Sequence, residues 1–353
     1  MKNLCVFPLS SDTETLLRYR DALDGYDITS VVSFNEDKQL FDSVREQTGL
    51  VCTSDWKEGI EPADTLLLMD NVNGYKTAKY LEGMELAEKT NRRILSSRTL
   101  KEELKIHSNS FTSLHGIREL RMETSLPKHR QKREIPVPII AVMGQGENCS
   151  KFELQVIVRK QFMKNGYKVT SVCSNELGAL FGMYSLPLFL FGNILSFEEK
   201  VICFNHYIYN LYEKERPDVI VLGVPGGIMP LGEDQYSHFS ELPLIITSAV
   251  TIDTGVLTYF AAQYKHNDFL GYLGRYCLLK YNTPVEIFCP ARVKLDYDAE
   301  KQQFVFLHLD EKTIKQTFLK YNDPSVMDLT DKNSVTEHVD QLIQVLQNNL
   351  AAL

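Results

Sequence analysis

The sequence predicts an α/β protein of two domains, a doubly wound parallel sheet preceded by a smaller α/β domain. Three observations carry this. The chain has 353 residues, more than one hydrophobic core usually serves. Short apolar runs alternate with helical patterns along both halves. Two of the runs open into glycine-rich loops, as strands do when their carboxyl ends line a ligand crevice.

The first domain is read as residues 1–105. Lys2 to Pro8 is a short apolar strand, and Ser11 to Leu23 has helical spacing with Asp12 as a capping candidate. Ile28 to Ser33, Val51 to Thr53, Thr65 to Met69 and Arg93 to Ser96 read as further strands. Thr77 to Lys89 reads as a helix. Asp70 and Asn71 close the TLLLM strand, where they suit either a second small site or a turn cap. The domain has no G-x-G-x-x-G fingerprint, which disfavours a nicotinamide dinucleotide; a partner-binding domain and a structural lid are the alternatives.

Residues 106–135 have weak periodicity and read as a linker. They contain the basic cluster KHRQKR, Lys128 to Arg133. Such a run is either a solvated linker or a contact for nucleic acid or an acidic peptide.

The second domain is read as residues 136–353. Val137 to Met143 is a buried-type strand, followed by a glycine loop and a helix from Ser150 to Asn165 that Gly166 ends. Strands are expected at Lys168 to Cys173, Asp218 to Leu222, Leu244 to Ser248, Val285 to Cys289 and Phe304 to Leu307. Helices are expected at Phe197 to Lys214, Val256 to Tyr264 and Ser334 to Leu350.

The loop 141-AVMGQGENCSKFELQ-155 has the strand-then-helix context of a phosphate loop. Gly144 and Gly146 permit a tight turn, and the amides of Gly144 to Lys151, including Glu147, Asn148, Cys149 and Ser150, would form an anion nest at the helix start. Lys151 is placed to reach a phosphate; the bland alternative is a solvated lysine on a plain turn. The usual G-x-x-x-x-G-K-[ST] is not met. Ser150 stands at the glycine position, and Phe152 stands where a hydroxyl would hold magnesium. ATP or another phosphate-bearing ligand is therefore expected, with magnesium disfavoured and no protein metal site. The strand DVIVL runs into a second loop with Gly223, Pro225, Gly226 and Gly227, without an acid at the strand end; Glu233 and Asp234 come later.

These paired loops resemble those of dethiobiotin synthetase-like P-loop proteins. Gly144 and Lys151 keep that family's glycine-to-lysine spacing, and Gly226 and Gly227 match its glycine pair. ELPLIITSAV is similar to the strand carrying its next loop. Gly146, Ser150, Phe152 and Leu222 or Gly223 depart from it at an aspartate, a glycine, a threonine and a magnesium-linked glutamate. The resemblance implies a P-loop NTPase fold with a degenerate site.

Over nearly its whole length the chain also resembles the clostridial peptide maturation system proteins, through SKFELQ, FGNILSFEEK, FNHYI and RPDVIVLGVPGGIMPLG. That resemblance implies an accessory protein with a precursor peptide or modifying enzyme as partner, and leaves homo-oligomerisation open. The alternative is an active ATP-dependent kinase or ligase acting on a peptide or small molecule.

Other residues carry two readings each. Cys149 is either a reactive thiol with a lowered pKa or an inward-packing small hydrophobe. Asn175 and Glu176 follow a strand, as substrate contacts do, although Glu176 also suits a first-turn acid. Asp253 follows a loop and is a third substrate candidate. His206 has no Cys or His partner at ligand spacing. The seven cysteines form no C-x-x-C pair, so most are expected to be buried and reduced.

The composition is that of an ordinary globular protein, 44% hydrophobic and 24% charged. The net charge of -8 argues against a general nucleic-acid binder. Leu186 to Phe197 is apolar but too short to span a bilayer, and MKNLCVFPLSS lacks a signal-peptide core. A cytoplasmic protein is the expectation.

Overall fold

The computed structural model describes residues 1–35, 38–70, 77–104, 111–120, 130–230, 241–260, 268–300, 302–309, 311–318 and 323–351. Asn71, Lys128, Glu233 and Asp234 lie outside them. The chain divides into two compact units, Met1–Glu119 with Glu176–Met183, and Leu120–Asn175 with Tyr184–Leu353.

In the first unit the elements are β1 (Lys2–Phe7), α1 (Ser11–Arg18), β2 (Tyr26–Val32), α2 (Lys38–Thr48), β3 (Val51–Thr53), α3 (Trp56–Ile60), β4 (Thr65–Leu68), α4 (Thr77–Lys89), β5 (Arg93–Ser96), α5 (Arg98–Glu103) and β6 (Phe111–Ser113). The strands form one parallel sheet in the order β3-β2-β1-β4-β5-β6. That is the order of dinucleotide-binding doubly wound folds. The turn after β1, 8-PLSSD-12, contains no glycine, so it lacks the close backbone approach such folds offer a pyrophosphate. Ser10, not Asp12, caps α1, through a capping box with Thr13; Asp12 lies in the first turn. β6 comes from within the stretch read as linker. Phe7 anchors the core, with its ring 4.6 Å from Trp56 and 4.8 Å from Tyr80.

The second unit contains β7 (Ile139–Gly144), α6 (Lys151–Lys164), β8 (Val169–Cys173), β9 (Tyr184–Ser185), α7 (Phe197–Glu215), β10 (Val219–Gly223), α8 (Glu241–Ala249), β11 (Thr254–Tyr259), α9 (Phe269–Tyr281) and β12 (Val285–Pro290). They are followed by the hairpin β13 (Val293–Asp298) and β14 (Gln303–His308), then α10 (Glu311–Phe318) and α11 (Lys332–Ala351). Six parallel strands run in the order β12-β11-β7-β10-β8-β9, which places β7 centrally between β11 and β10. Alternate residues of β7, Ile139, Ala141 and Met143, join one core with α7, α8 and α9, while α6 packs on β7, β8 and β10 from the other face and α11 packs on α6. This is the doubly wound α/β class the sequence predicts.

α6 ends as predicted. The amides of Gly166 (φ +87°) and Tyr167 bond back to Met163 and Phe162, and the Tyr167 ring packs on Phe162. Two expected elements exchange identity. Leu244 to Ser248 is not a strand but part of α8, and ELPLIITSAV therefore forms a helix. Its buried residues, Leu242, Ile245, Ile246 and Ala249, recur at helical spacing, and Pro243 sits in the first turn, where no amide donor is needed. The helix expected from Val256 is instead β11, buried along its whole length between β7 and β12. A strand buried on both faces loses the alternation that would reveal it.

All seven cysteines are buried and free. Among the described residues no helix is long and apolar enough to cross a membrane.

Candidate functional site

The two glycine loops meet at the carboxyl ends of β7 and β10. The Ile228 amide donates to Gly144 O at 3.0 Å, and Val224 N donates to Val142 O at 2.9 Å. A Cβ on Gly227 would lie 2.8 Å from both Gln145 O and Gly146 Cα, so glycine is required for this approach. A Cβ on Gly223 would strike the Gln155 side chain and lie 2.9 Å from Ser174 N. Ser174, directly after β8, thus borders the second loop and carries Asn175 to the same sheet edge. Pro225 is buried there, and Gly226 turns with φ +73°.

Lys151 stands at the junction. Its Nζ donates to Gly146 O and Gly226 O, both at 2.8 Å, so one ammonium bridges the two loops. Its methylenes lie over Gly144, where a Cβ would come within 2.8 Å of them. Burial pushes the Lys151 ammonium below its usual 10.5, against the opposing pull of Cys149 and Glu147. Asn148 (φ 52°) and Ser150 (φ 53°) are both left-handed, uncommon for non-glycine residues and suited to a turn whose successive amides face one side.

Several residues around the loop are structural. Gln145 is buried, with its amide donating to Thr258 O at 2.8 Å and its Oε1 accepting from Phe260 N at 3.0 Å. Ser150 makes no side-chain cap on α6; its Oγ accepts from Arg292 N at 3.0 Å. The Glu153 carboxylate meets the Arg292 guanidinium at 3.0 Å, both side chains under a tenth exposed. Arg292 leads into the hairpin, whose Leu295, Phe304 and Phe306 pack with Phe260 and Cys149. Phe152 is buried.

Two residues that carried double readings take one of them, and one expectation is corrected. Cys149 is not activated: burial pushes its thiol up, outweighing Lys151 and the neighbouring hydrogen bonds, and it packs inward. Asp253 does follow a loop, directly before β11, but it does not face the crevice. Its carboxylate accepts from Ile139 N at 2.8 Å, at the amino end of β7, opposite the loops. Glu176 takes the first-turn reading: it opens the short 3-10 helix Glu176–Phe181 in the first unit, where it accepts from Arg98 N at 2.9 Å and burial raises its pKa against that bond. Asp70 accepts from Ser97 Oγ at 2.6 Å, joining the ends of β4 and β5. His206 Nε2 is bonded to Gln131 O at 3.0 Å. Arg292, Gln145 and Ser174 were not singled out by sequence. Arg292 in particular carries no local signal, because its partner Ser150 lies 142 residues earlier in the chain.

No protein-family model matches the chain, and no curated protein does. Among solved structures the chain is similar to a DUF1611 family protein from Anabaena variabilis, over 99% of its own length and all of that chain, with TM-score 0.60 and 11% identity. It overlays 60% of its length on 88% of a nucleotide-binding protein in complex with ADP from Archaeoglobus fulgidus (TM-score 0.33, 12% identity). It overlays 62% of its length on the whole of a plasmid partition protein from Borrelia burgdorferi (TM-score 0.34, 11% identity). The last two overlays are too loose to weigh. The first shows a shared fold along the whole chain, in which β7 runs through a glycine loop into α6.

Proposed function

We propose that the chain binds a phosphate-bearing ligand, a nucleotide in the first instance, where Gly144–Lys151 meets Gly223–Gly227. The observation that carries this is the Lys151 ammonium, held at the junction of two glycine loops beside a helix N-terminus. An arriving phosphate would exchange the two carbonyl acceptors for charged oxygens, which a lysine prefers. The accessory role in peptide maturation rests on the sequence resemblance alone. Phe152, buried where a magnesium-binding hydroxyl would stand, and the turn Gly223–Val224–Pro225 without an acid favour binding over turnover.

Calorimetric titration with ATP, ADP, GTP and inorganic phosphate, with and without magnesium, tests the reading. Lys151→Ala is expected to weaken binding by about 1.5–3 kcal/mol, as for a charge-assisted bond. ATP affinity of the wild type is expected to fall as pH rises, starting below the usual lysine value of 10.5, because burial makes the Lys151 ammonium give up its proton earlier. Thermal unfolding of both proteins separates this from a clamp. A lysine that only ties the loops lowers the melting temperature when removed, while the wild type binds none of the four ligands. Equal affinities in wild type and variant would also sink the anchor.

Steady-state ATPase assays are expected to give turnover far below about 1 per second, the lower end of the usual enzyme range. Magnesium-dependent turnover near that value would establish the kinase or ligase alternative.

A further inference from the structure

The apex of the second glycine loop is held through Lys151. The two ends of the loop are fixed independently of it. Val224 N donates to Val142 O at 2.9 Å, Ile228 N donates to Gly144 O at 3.0 Å, and Ile228 O accepts from the Tyr281 hydroxyl. Val224 and Ile228 both lie in the core of the second unit. Between these anchors Gly226 turns at φ +73°, and its carbonyl accepts from Lys151 Nζ at 2.8 Å. A trans peptide points its C=O and the following N–H in opposite directions. With Gly226 O on the ammonium, the Gly227 N–H faces away from the place a phosphate would take. The loop therefore offers that place a carbonyl, the wrong end of the peptide dipole for an anion.

An ammonium has three donors, and Lys151 uses two of them on Gly146 O and Gly226 O. A ligand with two adjacent phosphates, both within reach of such a lysine, takes at least two. At least one carbonyl must then be released, and the two peptides differ in how freely they can turn. Reversing a peptide changes the ψ before it and the φ after it by roughly half a turn, as between type I and type II turns. At Gly146 the φ that changes is that of Glu147, whose Cβ disfavours positive values. At Gly226 it is that of Gly227, which is not at a positive φ here but adopts one readily. Gly226–Gly227 is the only pair of adjacent glycines in the 353 residues.

We propose that a diphosphate-bearing ligand draws Lys151 off Gly226 O and that the Gly226–Gly227 peptide then reverses, so that the Gly227 N–H becomes a donor to the ligand. The reversed peptide aims its N–H where its carbonyl now points, at the ammonium and the phosphate it holds. Rotation about the line between the two Cα atoms leaves both in place, so the approach of Gly227 to the phosphate loop is kept, as are the bonds of Val224 and Ile228. This rests on the phosphate reading of the site, and adds to it a main-chain ligand group and a ligand class.

Because the pair is unique, protein labelled isotopically at the glycine carbonyl carbon and the glycine amide nitrogen gives a single correlation across a glycine–glycine bond, that of Gly226 C=O with Gly227 N–H. Triple-resonance NMR of the full chain with ADP reads both ends of this peptide. At saturation the Gly227 amide proton is expected to move downfield and to exchange with water at least about tenfold more slowly, as an amide gaining a hydrogen bond does. The Gly226 carbonyl is expected to move upfield as it loses the ammonium. Lys151→Ala without ADP should move the carbonyl the same way and leave the amide unprotected. ADP-saturated protein with an unmoved amide, whether or not the carbonyl shifts, overturns the reversal and leaves the phosphate reading standing. A carbonyl signal that Lys151→Ala does not move also overturns it, since the bond to be released is then missing. Calorimetry that detects no ADP binding overturns the phosphate reading and the reversal together.

Discussion

Gly227→Ala is expected to abolish ligand binding at the loop junction and to lower stability by about 1–3 kcal/mol, the cost of overpacking a tight contact. The reason is contact, not backbone freedom, since among the second loop's glycines only Gly226 has a positive φ. The new Cβ would lie 2.8 Å from Gln145 O and from Gly146 Cα, and these are main-chain atoms that cannot swing aside. One loop must move. The neighbouring bond from Ile228 N to Gly144 O would stretch, and Lys151 could not keep both carbonyl partners. Gly166→Ala is the control. It sits at φ +87° with nothing within 4 Å of a Cβ, far from the loops at the end of α6. It should cost about 1–2 kcal/mol through backbone strain alone and leave affinity intact. Denaturant unfolding and calorimetry of the two variants check this. A Gly227→Ala protein with wild-type affinity would show that the close approach of the loops is not what forms the site.

The loops were legible in the sequence because their signals are local. A buried-type strand running into clustered glycines gives position and chemistry at once, and Gly144, Lys151, Gly226 and Gly227 do converge. Elements without a local period were not legible. β11 is buried on both faces and shows no alternation, while α8 is short and rich in β-branched residues. Asp253 illustrates another limit. Its neighbours read as a loop, but only the sheet order reveals that the loop lies at the amino edge. Glu176 follows β8 in sequence yet packs within the first unit, a partition that no spacing encodes. Cys149 was ambiguous because the loop's positive environment and its burial act in opposite directions, and only the packing of Phe260 and Leu295 shows that burial wins.

Glu153 was the least legible of the residues that matter, and it carries the largest expected stability effect. In sequence it is an acid in the first turn of α6, where a favourable dipole contact worth under about 1 kcal/mol is the ordinary reading. In the structure it is 4% exposed and pairs at 3.0 Å with an equally buried Arg292. The pair ties the start of α6 to the segment after β12. The Arg292 amide holds Ser150 there, and the Arg292 carbonyl accepts from Leu309 N at the end of the hairpin. Glu153→Ala breaks this buried ion pair, so a loss of about 3–5 kcal/mol is expected. Arg292→Leu should cost a comparable amount for the mirror reason. The double variant Glu153→Met/Arg292→Leu should be markedly more stable than either single one, because neither charge then needs a partner. Guanidinium unfolding of the four proteins closes the cycle. Phosphate-ligand affinity read on the same set adds a second measure: the double variant should regain stability without full affinity, because the ion pair also fixes the position of Ser150 beside Lys151. A loss below about 1 kcal/mol for Glu153→Ala, within the range of an exposed pair, would show that water reaches these charges and that the hairpin is not anchored through them.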